Sequence, residues 1–386
     1  MALRVLAIKS PGLLRLSFTP CWFTDSKDLL CLSRFVYLES LHLSAFSILD
    51  EDLLLRLSNL KNLTQLGATI ALSDPAKHGL LDLKDGFQRL TNLDLRLHCP
   101  PEYLPHFLLA TSMPLMHELS LRLHHHPADG FLAAFPALCR HVAPHGTLTN
   151  LQIKLGPFNA RHGRGPPPFL MDLLEPLLPF STLEELEFLF KEHLPLRDVD
   201  LARFARAWPC LRALVLLQSN NTVADLRQPG TVAVARPTLN GLAALARGCP
   251  KLARLCLPDL DATVLPVQVD SVPGLLPHDR PLDLCIQNLV GAGDGERQLG
   301  VAEGLDRLFP HLKLELGPPE CGCEGEGVER GGGGRVDLWQ VERVEVRAAR
   351  SDDGEDARVG ADGERVGGFR RRDMGDDAMV LDAEGV

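Results

Sequence analysis

A leucine pattern recurs along this chain from residue 13 to residue 316. The pattern is L-x-x-L-x-L or a near copy, with start points 25 to 41 residues apart. Its nine copies begin at Leu13, Leu38, Leu63, Leu90, Met116, Leu148, Leu183, Leu211 and Leu252, the one at Leu63 being the weakest. Two degenerate copies follow at 281–286 and 309–316. Chance leucine clusters would give one or two matches, so the order indicates an internal repeat.

Each copy reads as a helix followed by a strand. Alternation around Leu-x-Leu predicts a strand with one apolar face. Helix-like segments precede the cores at 50–60, 102–112, 131–142, 169–178, 198–207 and 239–248. One such unit cannot bury its apolar face alone, whereas stacked neighbours share a continuous core. The predicted fold is therefore an open α/β solenoid over 1–316, a horseshoe with parallel strands on the concave face and helices outside.

The two ends of the chain differ from the repeat. Residues 1–14 resemble the closing helix of a preceding unit, so we expect the array to begin mid-unit. Residues 317–386 are rich in Gly, with 18 acidic and 10 basic residues. Such a segment buries too little apolar surface to offset its conformational entropy, which predicts a largely disordered tail. Its exception is 336–346, where Trp339 and alternating valines suit a strand or a short helix.

Cysteine usage and hydropathy indicate an intracellular, cytoplasmic or nuclear protein. Of ten cysteines, five lie in predicted helices, strands or their junctions, and no spacing suggests a disulfide framework. These five, Cys139, Cys210, Cys249, Cys256 and Cys285, are expected to be small buried hydrophobes. No apolar run reaches 18 residues, and Lys9 with no cleavage site argues against a signal peptide. We expect no membrane partner.

Charge and motifs argue against several classes of function. The tail carries eight of the ten net negative charges, so residues 1–316 have a net charge of −2 and no basic footprint for nucleic acid. No catalytic string is present, and we expect neither enzyme activity nor a cofactor. The histidines at 124–126 suit a surface loop better than a metal site. Likewise Cys321 and Cys323 lack two further ligands, and the glycines at 331–334 suit a linker better than a phosphate loop. The acidic residues 50–52 are interpreted as a helix start.

The later repeats resemble a known family. Trp208-Pro209 and Cys249-Pro250, followed by Val301-Ala302 with Phe309-Pro310, are similar to the leucine-rich-repeat region of F-box proteins, most of all the divergent set of basidiomycete fungi. The likeness covers roughly residues 30 to 316. It implies a substrate receptor of an SCF-type ubiquitin ligase, in which an F-box binds the adaptor Skp1 and the repeats hold the substrate.

No F-box precedes the first repeat at Leu13, and the F-box-like string at 178–190 is in register with the repeats. Skp1 is therefore expected as a partner only if an upstream F-box exists. The alternatives are a free-standing scaffold or inhibitor with no ubiquitin-ligase link, or a truncated gene model. In every case the expected activity is protein binding on the concave face.

The strand pattern also predicts which residues would meet a partner. Side chains flanking the last two core leucines point away from the core. The predicted binding residues are Arg96, Arg122, Lys154, Leu189 and Leu217, with Asp94 and Glu118 nearby. One interpretation is a solvated strand face whose charges offset each other. The other is that the three basic residues receive an acidic or phosphorylated segment, with exposed Leu189 and Leu217 as an apolar anchor.

Overall fold

The computed structural model describes residues 2–18, 29–43, 47–74, 83, 86–111, 113–123, 128–156, 169–191, 194–218, 235–263, 280–291 and 295–314. All of them belong to one compact unit, Met1–Cys323. The second unit, Glu324–Val386, lies outside the described residues, as do the expectations for 124–126, for 317–386 and for 336–346 within it.

Strands and helices alternate along the described chain. The strands are β1 (Arg15–Ser17), β2 (Ser40–His42), β3 (Ile48–Leu49), β4 (Gln65–Ile70), β5 (Asn92–Leu97), β6 (Glu118–Leu123), β7 (Asn150–Leu155), β8 (Glu185–Phe190), β9 (Ala213–Gln218), β10 (Arg254–Asp261), β11 (Leu282–Val290) and β12 (Leu312–Leu314). The α-helices are α1 (Ala2–Lys9), α2 (Glu51–Ser58), α3 (Leu104–Ala110), α4 (Ala128–Val142), α5 (Leu170–Leu174), α6 (Asp198–Ala207), α7 (Leu239–Gly248) and α8 (Gly295–Leu308). Short 3-10 turns occupy Leu30–Arg34, Pro101–Tyr103, Ala143–His145 and Glu175–Leu177.

The strands of the described residues form one parallel sheet. Its order follows the chain from β1 to β12, except that β3 pairs only with the end of β4. The sheet is open, since β1 and β12 lie at its two edges. Because consecutive strands are neighbours in the sheet and parallel, each connection has to run back along the sheet to the start of the next strand. Most of these connections contain a helix. The predicted fold class, an open leucine-rich-repeat solenoid, is confirmed.

The leucines of the pattern form the core, as predicted. On β5, Leu93 and Leu95 are 1% and 0% exposed, and on β9, Leu214 and Leu216 are fully buried. They belong to one continuous hydrophobic cluster that extends from α1 to β12 and includes the inner faces of the helices. Each unit thus buries its leucines against the units on both sides, which is how a repeat too small to fold alone becomes stable.

The predicted helical segments all contain helices or helical turns. At the start of α2, the carboxylate of Asp50 accepts a hydrogen bond from the backbone N–H of Leu53 at 2.9 Å, so the interpretation of 50–52 as a helix start is confirmed. At the start of α7, Thr238 caps in the same way, accepting from the N–H of Asn240 at 3.1 Å.

The repeat at Leu63 is more regular than its sequence indicates. It forms the six-residue strand β4, in which Leu66 pairs with Leu41 of β2 and Leu93 of β5. The sequence looked irregular because Ala68 stands at the third core position, where the other repeats carry Leu, Ile or Phe. Gly67 beside it weakens the strand signal further, but neither small residue prevents pairing between two flanking strands.

The turns that enter the strands are joined by a ladder of backbone hydrogen bonds. The carbonyl of Thr64 accepts the N–H groups of Thr91 and Asn92 at 2.8 and 3.1 Å, and neighbouring turns repeat the arrangement. Thr91 also donates its hydroxyl to the same carbonyl at 3.0 Å, and Thr64 and Thr149 donate to their own preceding turns. The recurring string Leu-Thr-Asn/Gln-Leu is the sequence signal for this ladder.

The repeated Trp-Pro and Cys-Pro pairs have one structural role. Trp208 is fully buried at the end of α6, and its indole N–H donates to the carbonyl of Leu177 at 3.1 Å. Cys249 occupies the same place after α7, and its thiol donates to the carbonyl of Trp208 at 3.4 Å. Pro209 and Pro250 then end the helices. Each pair therefore connects the end of one helix to the unit before it.

The described cysteines are all free thiols: Cys31, Cys99, Cys139, Cys210, Cys249, Cys256 and Cys285. Six of them are buried, and among these the prediction of small buried hydrophobes is confirmed for Cys139, Cys249, Cys256 and Cys285. The prediction is wrong for Cys210, which is half-buried because it lies in the turn between α6 and β9.

Candidate partner-binding face of the sheet

Side chains of β5 to β8 that point away from the leucine core form a grid of three rows, which we call the charged sheet face. The first row contains Asn92, Glu118, Asn150 and Glu185. The middle row contains Asp94, Ser120, Gln152 and Glu187. The last row contains Arg96, Arg122, Lys154 and Leu189. Row neighbours are directly paired across strands, about 4.8 Å apart.

Most of the predicted binding residues lie in this grid. The register brings together Arg96, Arg122, Lys154 and Leu189 in the last row, Asp94 in the middle row and Glu118 in the first row. Leu217 of β9 continues the last row beside Leu189. That these residues bind a partner stays a prediction.

Two of the basic residues are paired with carboxylates of the middle row. Arg122 Nη2 lies 3.2 Å from Asp94 Oδ2, and Lys154 Nζ lies 4.0 Å from Glu187 Oε1. All four side chains are partly exposed, so each pair contributes only about 0–1 kcal/mol to stability. The pairs do, however, offset part of the positive charge of the last row.

The pair between Asp94 and Arg122 leaves polar atoms unsatisfied. Among the described residues, Asp94 Oδ1 and Arg122 Nε are shielded from solvent and have no hydrogen-bond partner. Shielded polar atoms in proteins are nearly always bonded to protein or ordered water, so each exception calls for an explanation. The centre of the charged sheet face therefore has unused hydrogen-bonding capacity.

Amide and hydroxyl side chains link the strands in the other two rows. Asn92 Nδ2 donates to Glu118 Oε2, and Asn150 Nδ2 donates to Glu185 Oε2 at 3.3 Å. In the middle row, the hydroxyl of Ser120 donates to the side-chain oxygen of Gln152 at 3.0 Å. Sequence reasoning missed Asn92 and Asn150, although the Asn of Leu-Thr-Asn-Leu marks both. These two amides hold the carboxylates of the first row in place.

An apolar sheet patch continues the same side of the sheet beyond β8. It consists of Val215, Leu217, Cys256 and Cys285, with Leu189 packed against them. The expectation that Leu217 is exposed is wrong: it is 3% exposed, because it packs within this second cluster. Leu189, at the border, is half-buried.

At the other end, a cavity of about 200 Å³ opens over β4. It is lined by Ser40, Leu41, His42, Gln65, Leu66, Gly67, Asn92, Leu93, Asp94, Glu118 and Ser120. Gly67 belongs to the middle row, between His42 and Asp94. A Cβ at Gly67 would overlap the imidazole of His42, whose Cε1 would lie 2.8 Å away. The missing side chain therefore makes room both for the ring and for the cavity beside it.

The described residues give little support to thiol or metal chemistry. Burial, with a smaller effect of neighbouring Cys285, raises the pKa of Cys256 to about 12. Burial likewise raises the pKa of Cys139 and of Cys249 to about 12. A thiol that stays protonated is a poor nucleophile and a poor metal ligand. Within the described ranges, no three His, Cys, Asp or Glu side chains are grouped as a metal site requires.

Comparisons with known proteins add the following. No protein family matches the sequence, and no curated protein matches it. Among solved structures, the chain is similar to the leucine-rich repeat-containing protein LegL7 from Legionella pneumophila, with 13% identity and a TM-score of 0.33. The match covers 77% of this chain and 90% of that one. None of the described helices has the length and apolar composition needed to cross a membrane.

Proposed function

We propose that this chain is a protein-binding module with no catalysis of its own, and that the charged sheet face receives the partner. The observation that carries this proposal is the in-register grid of charged and amide side chains on β5 to β8, on the side of the sheet that the leucine core does not use. Open solenoids commonly bind partners across such an extended surface.

The last row would take the acidic part of the partner. Arg96, Arg122 and Lys154 stand on three neighbouring strands, and a carboxylate or phosphate bound there gains charge-assisted hydrogen bonds. Asp94 and Glu187 already pair with two of these cations, so an acidic group of the partner has to replace these carboxylates. Only a group in the right position forms stronger interactions with the cations than the carboxylate that it replaces. Internal pairing of this kind favours specificity over raw affinity.

A triple charge reversal tests the proposal. In one variant, Arg96, Arg122 and Lys154 are all replaced by Glu. The matched control reverses three exposed arginines on the helices, one each on α2, α4 and α6: Arg56, Arg140 and Arg206. Both variants change the net charge by the same amount. Each is compared with the wild-type chain in a quantitative pull-down, together with its melting temperature.

The proposal expects the sheet variant to lose at least tenfold in capture of the dominant partner while the helix variant retains it. The melting temperature of the sheet variant should stay near that of the control, because partly exposed ion pairs contribute little stability. Equal capture by the two folded variants would contradict the charged sheet face as the binding surface.

A finer proposal concerns the class of partner. The resemblance of the Trp-Pro and Cys-Pro repeats to F-box leucine-rich-repeat proteins supports a substrate receptor of an SCF-type ubiquitin ligase. The alternative is a free-standing scaffold or inhibitor. Co-purification of Skp1 and cullin with the full chain, and with a version extended upstream, separates the two. Recovery of Skp1 by either version supports the receptor, and recovery by neither supports the scaffold.

A further inference from the structure

The cavity over β4 has the size of a side-chain socket. Its volume of about 200 Å³ lies below the roughly 300–1,000 Å³ typical of small-molecule and cofactor sites. At roughly 30 Å³ of liquid volume per water, it would hold about six waters or one long side chain. The cavity is therefore better matched to one residue of a protein partner than to a metabolite.

The shape of the cavity depends on Gly67. The residues on either side of it in the middle row, His42 and Asp94, both have side chains that rise from the sheet. Gly67 has none, so the imidazole of His42 lies over it, and the ring and the backbone of β4 together form the floor of the cavity. Any Cβ at this position would overlap His42 and take up the space of the floor.

The charge of the cavity favours a cation. Two carboxylates, Asp94 and Glu118, line it, and Arg122 is paired with Asp94. Glu118 otherwise accepts from the neutral amide of Asn92. Asp94 Oδ1 has no hydrogen-bond partner. The cavity therefore has more acceptor capacity than its own donors fill.

We infer that this cavity is the anchor socket for a lysine or arginine side chain of the bound partner, and this rests on the protein-binding function proposed above. The apolar stem of that side chain would lie against the imidazole of His42, beside Gly67, and its charged end would reach Asp94 and Glu118. The basic last row begins two residues further along β5, about 7 Å away at 3.3–3.4 Å per residue. The partner would then present a basic residue to the socket and an acidic group to the last row.

Selection of peptides tests the socket directly. A phage-displayed library of random heptapeptides is panned on the full-length chain, and selected peptides are measured by fluorescence anisotropy. We expect a Lys or Arg at one fixed position of the selected peptides. Replacing that residue by Met should weaken binding to the wild-type chain at least tenfold.

Two variants of the protein complete a cycle with the peptide. Gly67→Val fills the floor, and Asp94→Asn with Glu118→Gln removes the charge without changing the shape. For either variant, the affinities of the Lys and Met peptides should differ by less than about twofold. The variant has already lost the interaction with the basic side chain, so replacing that side chain by Met removes nothing further. The matched control, Glu303→Gln with Asp306→Asn on α8, should keep the tenfold difference. If Gly67→Val does not fold, the isosteric variant alone decides the test.

Several outcomes overturn the socket. They are selected peptides without a fixed basic residue, the same tenfold difference in all variants, and failure to select any peptide. These results are distinct from failure of the proposed function. Loss of capture by the triple charge reversal together with peptides that lack a basic anchor would leave the binding face in place and remove only the socket.

Discussion

The charged sheet face and the apolar sheet patch occupy the same rows of one sheet, yet their side chains have opposite character. In the last row, Lys154 on β7 is followed by Leu189 and then by Leu217. In the middle row, Glu187 is followed by Val215. The backbone and register do not change across this border, so the repeat fixes the direction of a side chain and leaves its role to the residue type.

Burial shows how the two regions differ in energy. Leu217 and Val215 are 3% and 5% exposed, whereas the side chains of Lys154 and Glu187 are 16% and 32% exposed. Full burial of a leucine contributes about 1.5–3 kcal/mol, against about 0–1 kcal/mol for a partly exposed ion pair. The patch should therefore act as a second core, and the charged sheet face should be free to serve binding.

The largest expected effect is on thiol reactivity in the patch. Because burial raises the pKa of Cys256 to about 12, its thiolate fraction at pH 8 should be on the order of a thousandfold lower than in the unfolded chain. Residue-resolved alkylation, with and without urea, measures this ratio. As pH rises, the thiol loses its proton in the unfolded chain before it does so in the folded chain. The free energy of unfolding should therefore fall between about pH 8.5 and 12. Rapid native labelling of Cys256 would show that the patch is open to solvent.

The next effect is on the core that both regions share. Leu214 is fully buried on β9, next to Val215 of the patch but on the opposite side of the strand. Replacing Leu214 by Ala should lower the free energy of unfolding by about 2–5 kcal/mol, because transfer energy is lost and a cavity is left behind. Urea unfolding measures this free energy. A loss below about 1 kcal/mol would contradict the register proposed for the leucine pattern.

A smaller effect separates the patch from the charged sheet face. Leu217→Ala should cost about 2 kcal/mol, at the low end for a buried leucine, because the second cluster is small. Lys154→Ala, in the same row two strands away, serves as the control and should cost less than about 1 kcal/mol. Equal losses in urea unfolding would mean that the two regions are not energetically distinct.

The smallest effect concerns the ion pair at the centre of the charged sheet face. A double-mutant cycle with Asp94→Asn and Arg122→Gln should give a coupling energy below about 1 kcal/mol, since both side chains are about a quarter exposed. Thermal unfolding of the two single variants and the double variant measures it. A coupling above about 2 kcal/mol would assign this pair to the stability of the fold instead of to binding.

The rows could be predicted from the sequence because they depend on periodicity. A strand alternates its side chains strictly, so the positions of Arg96, Arg122 and Lys154 follow once the leucines are aligned. The Thr of Leu-Thr-Asn-Leu was equally visible and was missed, because apolar periodicity alone does not register a side chain that donates to the preceding turn.

Other features depend on contacts that a pattern does not contain. Pairing of Arg122 with Asp94 results from the direction of two long side chains across strands. The burial of Leu217 requires Cys256 and Cys285, which come from later repeats. The cavity lies at Gly67, in the repeat whose signal was weakest. Ala68 breaks the leucine pattern there, whereas the cavity depends on its neighbour Gly67, at a position that apolar periodicity does not register.

Site-specific photo-crosslinking tests the central claim most directly. A benzophenone amino acid is placed at Glu185, exposed in the first row of the charged sheet face, and in a second protein at Arg140, exposed on α4. Both proteins are irradiated with the captured partner. Partner binding at the charged sheet face predicts a crosslink from position 185 and none from position 140. A crosslink from position 140 without one from position 185 would place the partner on the helices and contradict the account.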